Sequence, residues 1–228
     1  MSQFSVQSSR LSGFPGSPRL TKGGIVLVDS DSGTVQKIIV LQYNPDTLTR
    51  TLQPQTVKES GDRSEALRLT GPPIETIKLE AEIDATDQLE FPDQNQDATT
   101  LGIHPQLAAL EIILYPTSSQ LQSNNSLAQS GTLEIVPMQT PLTLFVWSKN
   151  RVVPVRLTEF SITEEAFDPA LNPIRAKVNL GMRVLSIDDI GFDNKGGSIY
   201  LAYQQQKEQL AGKSQGGTFA ALGIRAIP

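Results

Sequence analysis

The sequence contains no cysteine and a single histidine, His104. Without cysteine the chain can form no disulfide, no thiolate nucleophile and no sulfur-ligated metal site. His104 precedes Pro105 at the start of a predicted helix, with no neighbouring residue in the sequence to complete a metal site or a general-base pair. We therefore expect no metal site, no cofactor and a structural or surface position for His104.

Long apolar runs and basic clusters are also missing. No run approaches the roughly 20 residues that span a bilayer, and the N-terminus lacks the charged start and apolar middle of a secretory signal. We expect that the chain does not insert into a membrane. We expect it to assemble in the cytoplasm. The 19 Lys and Arg residues are scattered and the formal net charge is −5, which provides no patch for a phosphate backbone. Nucleic acid is therefore not an expected partner.

The most acidic segment, residues 84–97, does not have the spacing of a calcium loop, and charged runs are usually solvated. Its five carboxylates belong to Asp84, Asp87, Glu90, Asp93 and Asp97. The chain has neither a Gly-x-Ser-x-Gly nucleophile motif nor a Walker pattern for phosphate. We predict that the protein is not an enzyme. The alternative is a small hydrolase that acts through residues 84–97.

The first apolar residues predict a β-hairpin. "IVLVDSDSGTVQKIIVLQY", residues 25–43, has two β-branched runs around a polar turn. Its second strand has apolar residues at both parities, which predicts cover on both faces. Asn44-Pro45 ends this strand because proline has no N–H to donate. Residues 51–73 are polar and are predicted to form a long loop that offers a contact surface.

Three later segments read as strands. Residues 77–83 and 172–186 alternate apolar and polar side chains, the second with six consecutive even positions apolar. In residues 151–167 the apolar parity changes at Thr158-Glu159, which predicts a bulge. A further strand is expected at residues 141–147.

Helices are expected in two places. Leu107, Leu110 and Leu114 share the helical spacing of residues 104–115, and residues 199–211 also look helical. Residues 84–102 are predicted to be irregular and residues 116–131 to be a linker.

The order of these elements predicts a mainly β (α+β) fold, an antiparallel sandwich or barrel with a packed helix. We divide the chain into a flexible N-terminal arm (1–23), a β domain (24–187) and a C-terminal helix and tail for subunit or layer contacts (188–228).

Three blocks of sequence resemble the tube and tube-initiator proteins of contractile, phage-tail-like injection systems. They are "LQYNPDTLTRT", "LTGPPIETIKLEAEIDATD" and "PLTLFVWSKNRVVPVRLTEFSITEEAFDPALNPIRAKVNLGMRVL". The resemblance covers roughly residues 24–187 in spaced blocks. It implies a tail-tube-like β-sandwich or barrel whose copies form a hexameric ring around a β-lined channel. Larger family members have a C-terminal LysM-like module, which residues 188–228 are too short to form.

The resemblance implies a baseplate adaptor or tube initiator that joins a central spike or hub to the inner tube. Its partners would be further copies of itself, the inner tube protein, the spike or hub and other baseplate proteins. The implied function is structural. The candidates for a lumen-facing stripe are Lys78, Glu80, Glu82, Arg175, Lys177, Asn179 and Arg183. The interface candidates are Tyr43, Asn44, Pro45 and Trp147.

Two other interpretations remain open at this point. Alternating strands also suit the ordinary solvent face of a monomeric sandwich, because alternation does not distinguish bulk solvent from a water-filled channel. A carbohydrate-binding module would use aromatic side chains on one exposed face. Those aromatic residues would be Trp147, Tyr43, Tyr115, Tyr200 and Tyr203.

Overall fold

The computed structural model describes residues 20–30, 32–56, 68–129 and 140–227. The strands are β1 (Gly24–Val28), β2 (Val35–Val40), β3 (Leu48–Thr56), β4 (Leu69–Asp84), β5 (Leu142–Val146), β6 (Val152–Phe167) and β7 (Pro173–Val184). The α-helices are α1 (Thr86–Leu89), α2 (Gln96–Leu101), α3 (His104–Glu111), α4 (Ser118–Gln129), α5 (Ile187–Ile190) and α6 (Lys195–Ala211). Short 3₁₀ turns lie at Pro92–Gln94 and Phe219–Leu222.

The seven strands form one sheet in the order β2-β1-β5-β6-β7-β4-β3. Every neighbouring pair is antiparallel. The sheet is therefore mainly local hairpins plus two long crossovers, as expected for an antiparallel domain with helices inserted between strands. This confirms the predicted mainly β (α+β), antiparallel fold with a packed helix. The described strands form one open sheet where a sandwich or barrel was expected.

Strand β6 divides the sheet into two halves. Its residues 152–155 pair with β5, whereas residues 155–167 pair with β7. A register shift between Leu157 and Glu159 falls just after this change of neighbour and confirms the predicted bulge. A bulge bends a strand and increases its twist, so β6 can carry the chain from the β2-β1-β5 half to the β7-β4-β3 half.

The predicted hairpin at residues 25–43 is confirmed as β1 and β2, but the expected cover of β2 on both faces is wrong. Ile39 is buried, whereas Ile38 and Val40 are 63% and 57% exposed. β2 lies at the edge of the sheet, and none of the described elements covers its outer face.

The predicted long loop at residues 51–73 is also wrong. β3 and β4 form an antiparallel hairpin whose pairing extends from Leu48↔Leu79 to Thr56↔Leu69. Residues 57–67 lie outside the described residues. The sequence is polar here because β3 is an edge strand with little burial, and polarity alone does not separate such a strand from a loop.

The core lies on one face of β4 and β7. Along β4 the odd residues from Glu75 to Ile83 are buried, and along β7 the even residues from Ala176 to Val184 are buried. Phe145 of β5 and Val153 and Val155 of β6 belong to the same cluster. The two alternating strands predicted from the sequence are thus confirmed, with their apolar faces turned to a common core.

Helix α3 packs into this core through Leu107 and Leu110, which confirms the predicted helix. It ends at Glu111, so Leu114, predicted to lie on the same stripe, is 45% exposed and Ile113 is buried instead. Helix α6 confirms the second predicted helix and contributes Tyr200 and Tyr203 to the core.

Two segments predicted to be irregular contain helices. The polar residues 118–129 form α4, which has no buried residue, and the acidic segment 84–102 contains α1 and α2. Helices with no apolar face leave no periodic signal in the sequence. In the described ranges no helix is both long and apolar enough to cross a membrane.

Candidate functional site

The polar face of the β6-β7-β4-β3 half-sheet is the first candidate site. All seven lumen-facing candidates lie on this face, opposite the core, because their positions have the parity opposite to the buried residues of β4 and β7. Register pairs the candidate Glu80 with Asn179 and the candidate Glu82 with Lys177. Lys78 lies opposite Gly181, and Arg183 lies opposite Thr76. The fold thus brings the candidates from both strands into one surface. Whether that surface faces a lumen remains a prediction.

Ion pairs tie the strands of this face together. Lys78 Nζ lies 2.6 Å from Glu159 Oε2, and Arg175 Nε lies 3.1 Å from Asp84 Oδ2. At the end of β7, Arg183 donates a 2.9 Å hydrogen bond to Asp189 of α5. These side chains are partly solvated, so each pair contributes little to stability. They place groups of opposite charge next to each other on a partly exposed surface.

The charges on the face nearly balance. Its cations are Lys78, Arg156, Arg175, Lys177 and Arg183, and its anions are Glu80, Glu82, Asp84, Glu159 and Glu165. A surface with mixed signs has no strong field for a polyanion.

The same half-sheet has a free edge on each side. β3 pairs with β4 only, and β6 beyond Val155 pairs with β7 only, among the described strands. Because β6, β7, β4 and β3 alternate in direction, β6 and β3 run antiparallel to each other. Unpaired strand edges of this length are usually blocked or paired in native proteins.

The interface candidate Asn44 holds the start of the fold. Its Oδ1 accepts a hydrogen bond from the Gly23 N–H (2.9 Å), and its Nδ2 donates to the Thr21 carbonyl (2.9 Å). Beside it, Tyr43 is partly exposed, and burial together with the nearby carboxylate of Asp87 raises its pKa. Asn44 therefore anchors the segment before β1, while the interface role of Tyr43, Asn44 and Pro45 stays a prediction.

Trp147 lies at the end of β5 and is half-buried. Its ring stacks on Phe145 with centroids 6.0 Å apart and packs over Gly23, where an added Cβ would approach the ring to 2.4 Å. Tyr200 and Tyr203 are buried in the core. The aromatic residues therefore do not form one exposed face of the kind that a carbohydrate-binding module needs.

A buried charged network is the main feature that the sequence analysis missed. Glu75, 3% exposed on the core side of β4, accepts a hydrogen bond from Arg50 Nε (2.8 Å) and another from the Tyr203 hydroxyl (3.3 Å). Lys207 Nζ lies 3.8 Å from Glu75 and 4.3 Å from the centre of the Tyr203 ring. The network joins the β3-β4 hairpin to α6. Its one signal in the sequence is a glutamate at a core-parity position of β4.

Burial dominates the electrostatics of this network. Loss of solvent, followed by the charge of Glu75, raises the pKa of Tyr203. Loss of solvent also lowers the pKa of Lys207, against the opposing effect of Glu75. Tyr200 has a raised pKa for the same first reason.

Asp84, the first of the residues proposed for hydrolysis, is held by hydrogen bonds and an ion pair of its own. Asp84 accepts hydrogen bonds from the Thr86 N–H (2.7 Å) and hydroxyl and contacts Arg175. Burial raises its pKa, but these partners outweigh that effect and hold the pKa below the ordinary 3.8. Its carboxylate is thus committed to structure. Among the described residues no group of three or more acidic or histidine side chains could hold a metal, and His104 is the exposed first residue of α3.

Comparisons with known proteins add little. No protein-family model matches the chain, and no curated protein matches its sequence. One solved chain with a partial likeness belongs to the tail of an empty gene transfer agent particle with C6 symmetry: it is 13% identical, the match covers 72% of this chain and 90% of that chain, and the TM-score is 0.28. Another, from the virion of a native gene transfer agent particle, is 10% identical over 70% of this chain and 90% of that chain, with a TM-score of 0.24. At these TM-scores neither likeness supports an argument.

Proposed function

We propose that the protein is a ring-forming structural subunit of a phage-tail-like contractile particle, where it acts as the adaptor between the spike or hub and the inner tube. The observation that carries this proposal is the β6-β7-β4-β3 half-sheet, which has a free edge on both sides, a polar face and a core face. A subunit of this kind can continue its sheet into a neighbour on each side.

The strand directions suit such a continuation. If a second copy is related by rotation, its β6 comes to lie beside β3 of the first copy, and these strands run antiparallel. The alternation of directions then continues across the contact without a break. The contact is heterologous, because one edge meets a different edge, and heterologous contacts close into rings when the rotation permits.

In this proposal the polar face lines the channel of the ring. Residues such as Lys78, Glu80 and Lys177 would surround a water-filled channel, while the core face packs on α3. Because its positive and negative charges balance, this lining would let the contents of the tube pass without strong electrostatic attraction. The protein would transmit position between layers and perform no chemistry.

Electron microscopy of the purified chain and of particles that contain it tests this function. The expected result is closed rings of six copies, with this chain located between the spike or hub and the first layer of the inner tube. A chain that stays monomeric at all concentrations, a ring of another symmetry, or absence from the particle would overturn the proposal.

A further inference from the structure

An apolar groove separates β2 from the C-terminal end of β4. Its walls include Val40 and Leu41 on one side and Ala81 and Ile83 on the other, with Ala109 of α3 at its base. The groove has a volume of about 190 Å³. It is the place where the sheet would have to close for β2 and β4 to become neighbours.

The β4 wall of the groove is a free strand edge. The Ala85 N–H donates to the carbonyl of Ile174 in β7 (3.0 Å). The Asp84 N–H therefore points the other way, and it donates to Gln42 Oε1 (3.0 Å). Alternate residues of a strand direct their peptide groups to the same side. The peptide groups of Glu82 therefore also point toward the groove.

The opposite wall is a free edge as well. The Leu41 N–H donates to the Gly23 carbonyl (2.9 Å) on the β1 side. By the same alternation, Val40 and Ile38 direct their peptide groups away from β1 and toward the groove. The pairing of β4 with β3 stops at Leu79, so β3 does not cover this part of β4.

Gln42 already acts as a substitute for a strand at one end of the groove. Its Nε2 donates to the Asp84 carbonyl (2.5 Å), and its Oε1 accepts from the Asp84 N–H (3.0 Å). A neighbouring antiparallel strand would satisfy Asp84 with the same pair of bonds, from the carbonyl and the N–H of one residue. At the Gln42 end of the groove the peptide groups of Asp84 are therefore hydrogen-bonded by a side chain, and further along the groove the peptide groups of Glu82 and Val40 point into it.

The C-terminal tail, residues 212–227, has the composition to fill the rest of the groove. Every described residue from 212 to 227 is exposed, although the tail has four large apolar side chains. They are Phe219, Leu222, Ile224 and Ile227. No acidic residue follows Glu208, whereas Lys213 and Arg225 carry positive charge. The tail is thus an apolar, cationic segment that is not buried against the described residues of its own chain.

We propose that residues 223–227 of a second copy insert as a strand between β2 and β4. With Ile224 and Ala226 on the core side, above Ala81 and Ile83, alternation places Arg225 on the polar side beside Glu82. The described tail residues of the same chain, 212–227, are exposed and do not cover the groove, and in this proposal the occupant therefore belongs to another copy. The inference rests on the proposed self-assembly and names a second contact between copies.

Cross-linking of full-length chains tests the inserted strand, because the chain has no native cysteine. Val40→Cys chains are mixed with Ile227→Cys chains and oxidised. Val35→Cys, at the far end of β2 and similarly exposed, replaces Val40→Cys in the control mixture. Insertion should raise the yield of disulfide-linked dimer about tenfold over the control, because docking raises the effective concentration of the two thiols. Equal yields would overturn the inference.

Two further arms make the result specific. A chain that carries both Val40→Cys and Ile227→Cys should give linked dimers and larger products; a linked monomer would show that the tail occupies its own groove and would overturn the assignment to a second copy. In cysteine pairs that also carry Arg225→Glu the yield should fall, and Glu82→Lys in the partner should restore it. No loss with Arg225→Glu would contradict the proposed register.

Ring counting on the same samples separates this inference from the proposed function. Rings without preferential cross-linking would overturn tail insertion and leave the ring proposal standing. Preferential cross-linking in a sample without rings would support tail insertion and contradict the ring.

Discussion

Lys78 of β4 and Glu159 of β6 form an ion pair across the strand that separates them. Their Nζ and Oε2 atoms lie 2.6 Å apart, and both residues are in register with Gly181 of β7. A side chain at position 181 would occupy the space between them, since an added Cβ would lie 2.7 Å from Glu159 Cβ. The missing side chain is therefore what brings β4 and β6 into contact on the polar face.

Gly181→Ala should destabilise the fold by about 1–3 kcal/mol, the usual range for overpacking, because Glu159 Cβ is held by its backbone and cannot move away. Urea unfolding followed by circular dichroism measures the effect. Gly216→Ala is the matched control, since no atom lies within 4 Å of its added Cβ. Unchanged stability of the Gly181→Ala chain would contradict the close approach.

Leu52→Pro should abolish ring formation while it leaves the subunit folded. Alternation along β4 directs the peptide groups of Lys78 toward β3, where Lys78 pairs with Thr49. The peptide groups of Thr49 therefore point toward β4. Leu52 lies three residues further along β3, so its N–H points the other way, to the free edge. Proline removes that N–H without loss of a bond to β4. Leu52→Thr keeps the N–H and controls for the lost side chain.

Light scattering coupled to size-exclusion chromatography reads the oligomeric state of both Leu52 variants, and circular dichroism verifies their fold. Rings from Leu52→Pro as abundant as those of the parent chain would exclude this β3 edge from the contact.

Glu75→Ala should cost about 2–3 kcal/mol, because it leaves the Arg50 and Lys207 cations partly buried without their shared carboxylate. The cost should appear as a lower denaturation midpoint. Glu164→Ala, an exposed carboxylate on β6, is the control and should change stability little. Similar effects of the two substitutions would show that the network does not hold the hairpin to α6.

Thr86→Ala should raise the pKa of Asp84 toward its ordinary 3.8, because it removes the hydroxyl that donates to the carboxylate. The folded-state pKa of Asp84 is depressed, so its stabilising effect is present above the unfolded-state pKa and is lost as the pH falls through the folded-state value. Thr86→Ala should thus destabilise the protein at pH 7 more than at strongly acidic pH.

Carboxyl carbon chemical shifts measured against pH report the Asp84 titration in the parent and the variant. Thr163→Ala, an exposed threonine on β6, is the control. An Asp84 pKa that stays as depressed in Thr86→Ala as in the parent would assign the shift to Arg175 and the Thr86 N–H, both of which the substitution leaves in place.

Strands with one apolar face were predictable from the sequence. Alternation located β4 and β7, and the change of parity at Thr158-Glu159 located the bulge in β6. These signals survive in a single chain because burial of one strand face imposes a period of two. The same alternation identified the seven residues that share the polar face.

Edge strands and polar helices were not predictable in the same way. β3 has too few buried residues to impose a period, and α4 has none. The apolar residues Ile38 and Val40 suggested a covered strand because composition does not report position in the sheet. The network around Glu75 joins residues distant in sequence, such as Arg50 and Tyr203, so no local pattern reveals it.

The sequence by itself determined the class of fold, the parity of the buried faces and the lack of thiol chemistry, because each follows from local composition or spacing. Tertiary structure alone decided which strands lie at the edges, where the free peptide groups point and how Lys78 meets Glu159 over Gly181. Those properties depend on strand order and register, which arise from pairing between segments far apart in the chain. The surfaces proposed for assembly are therefore products of the fold.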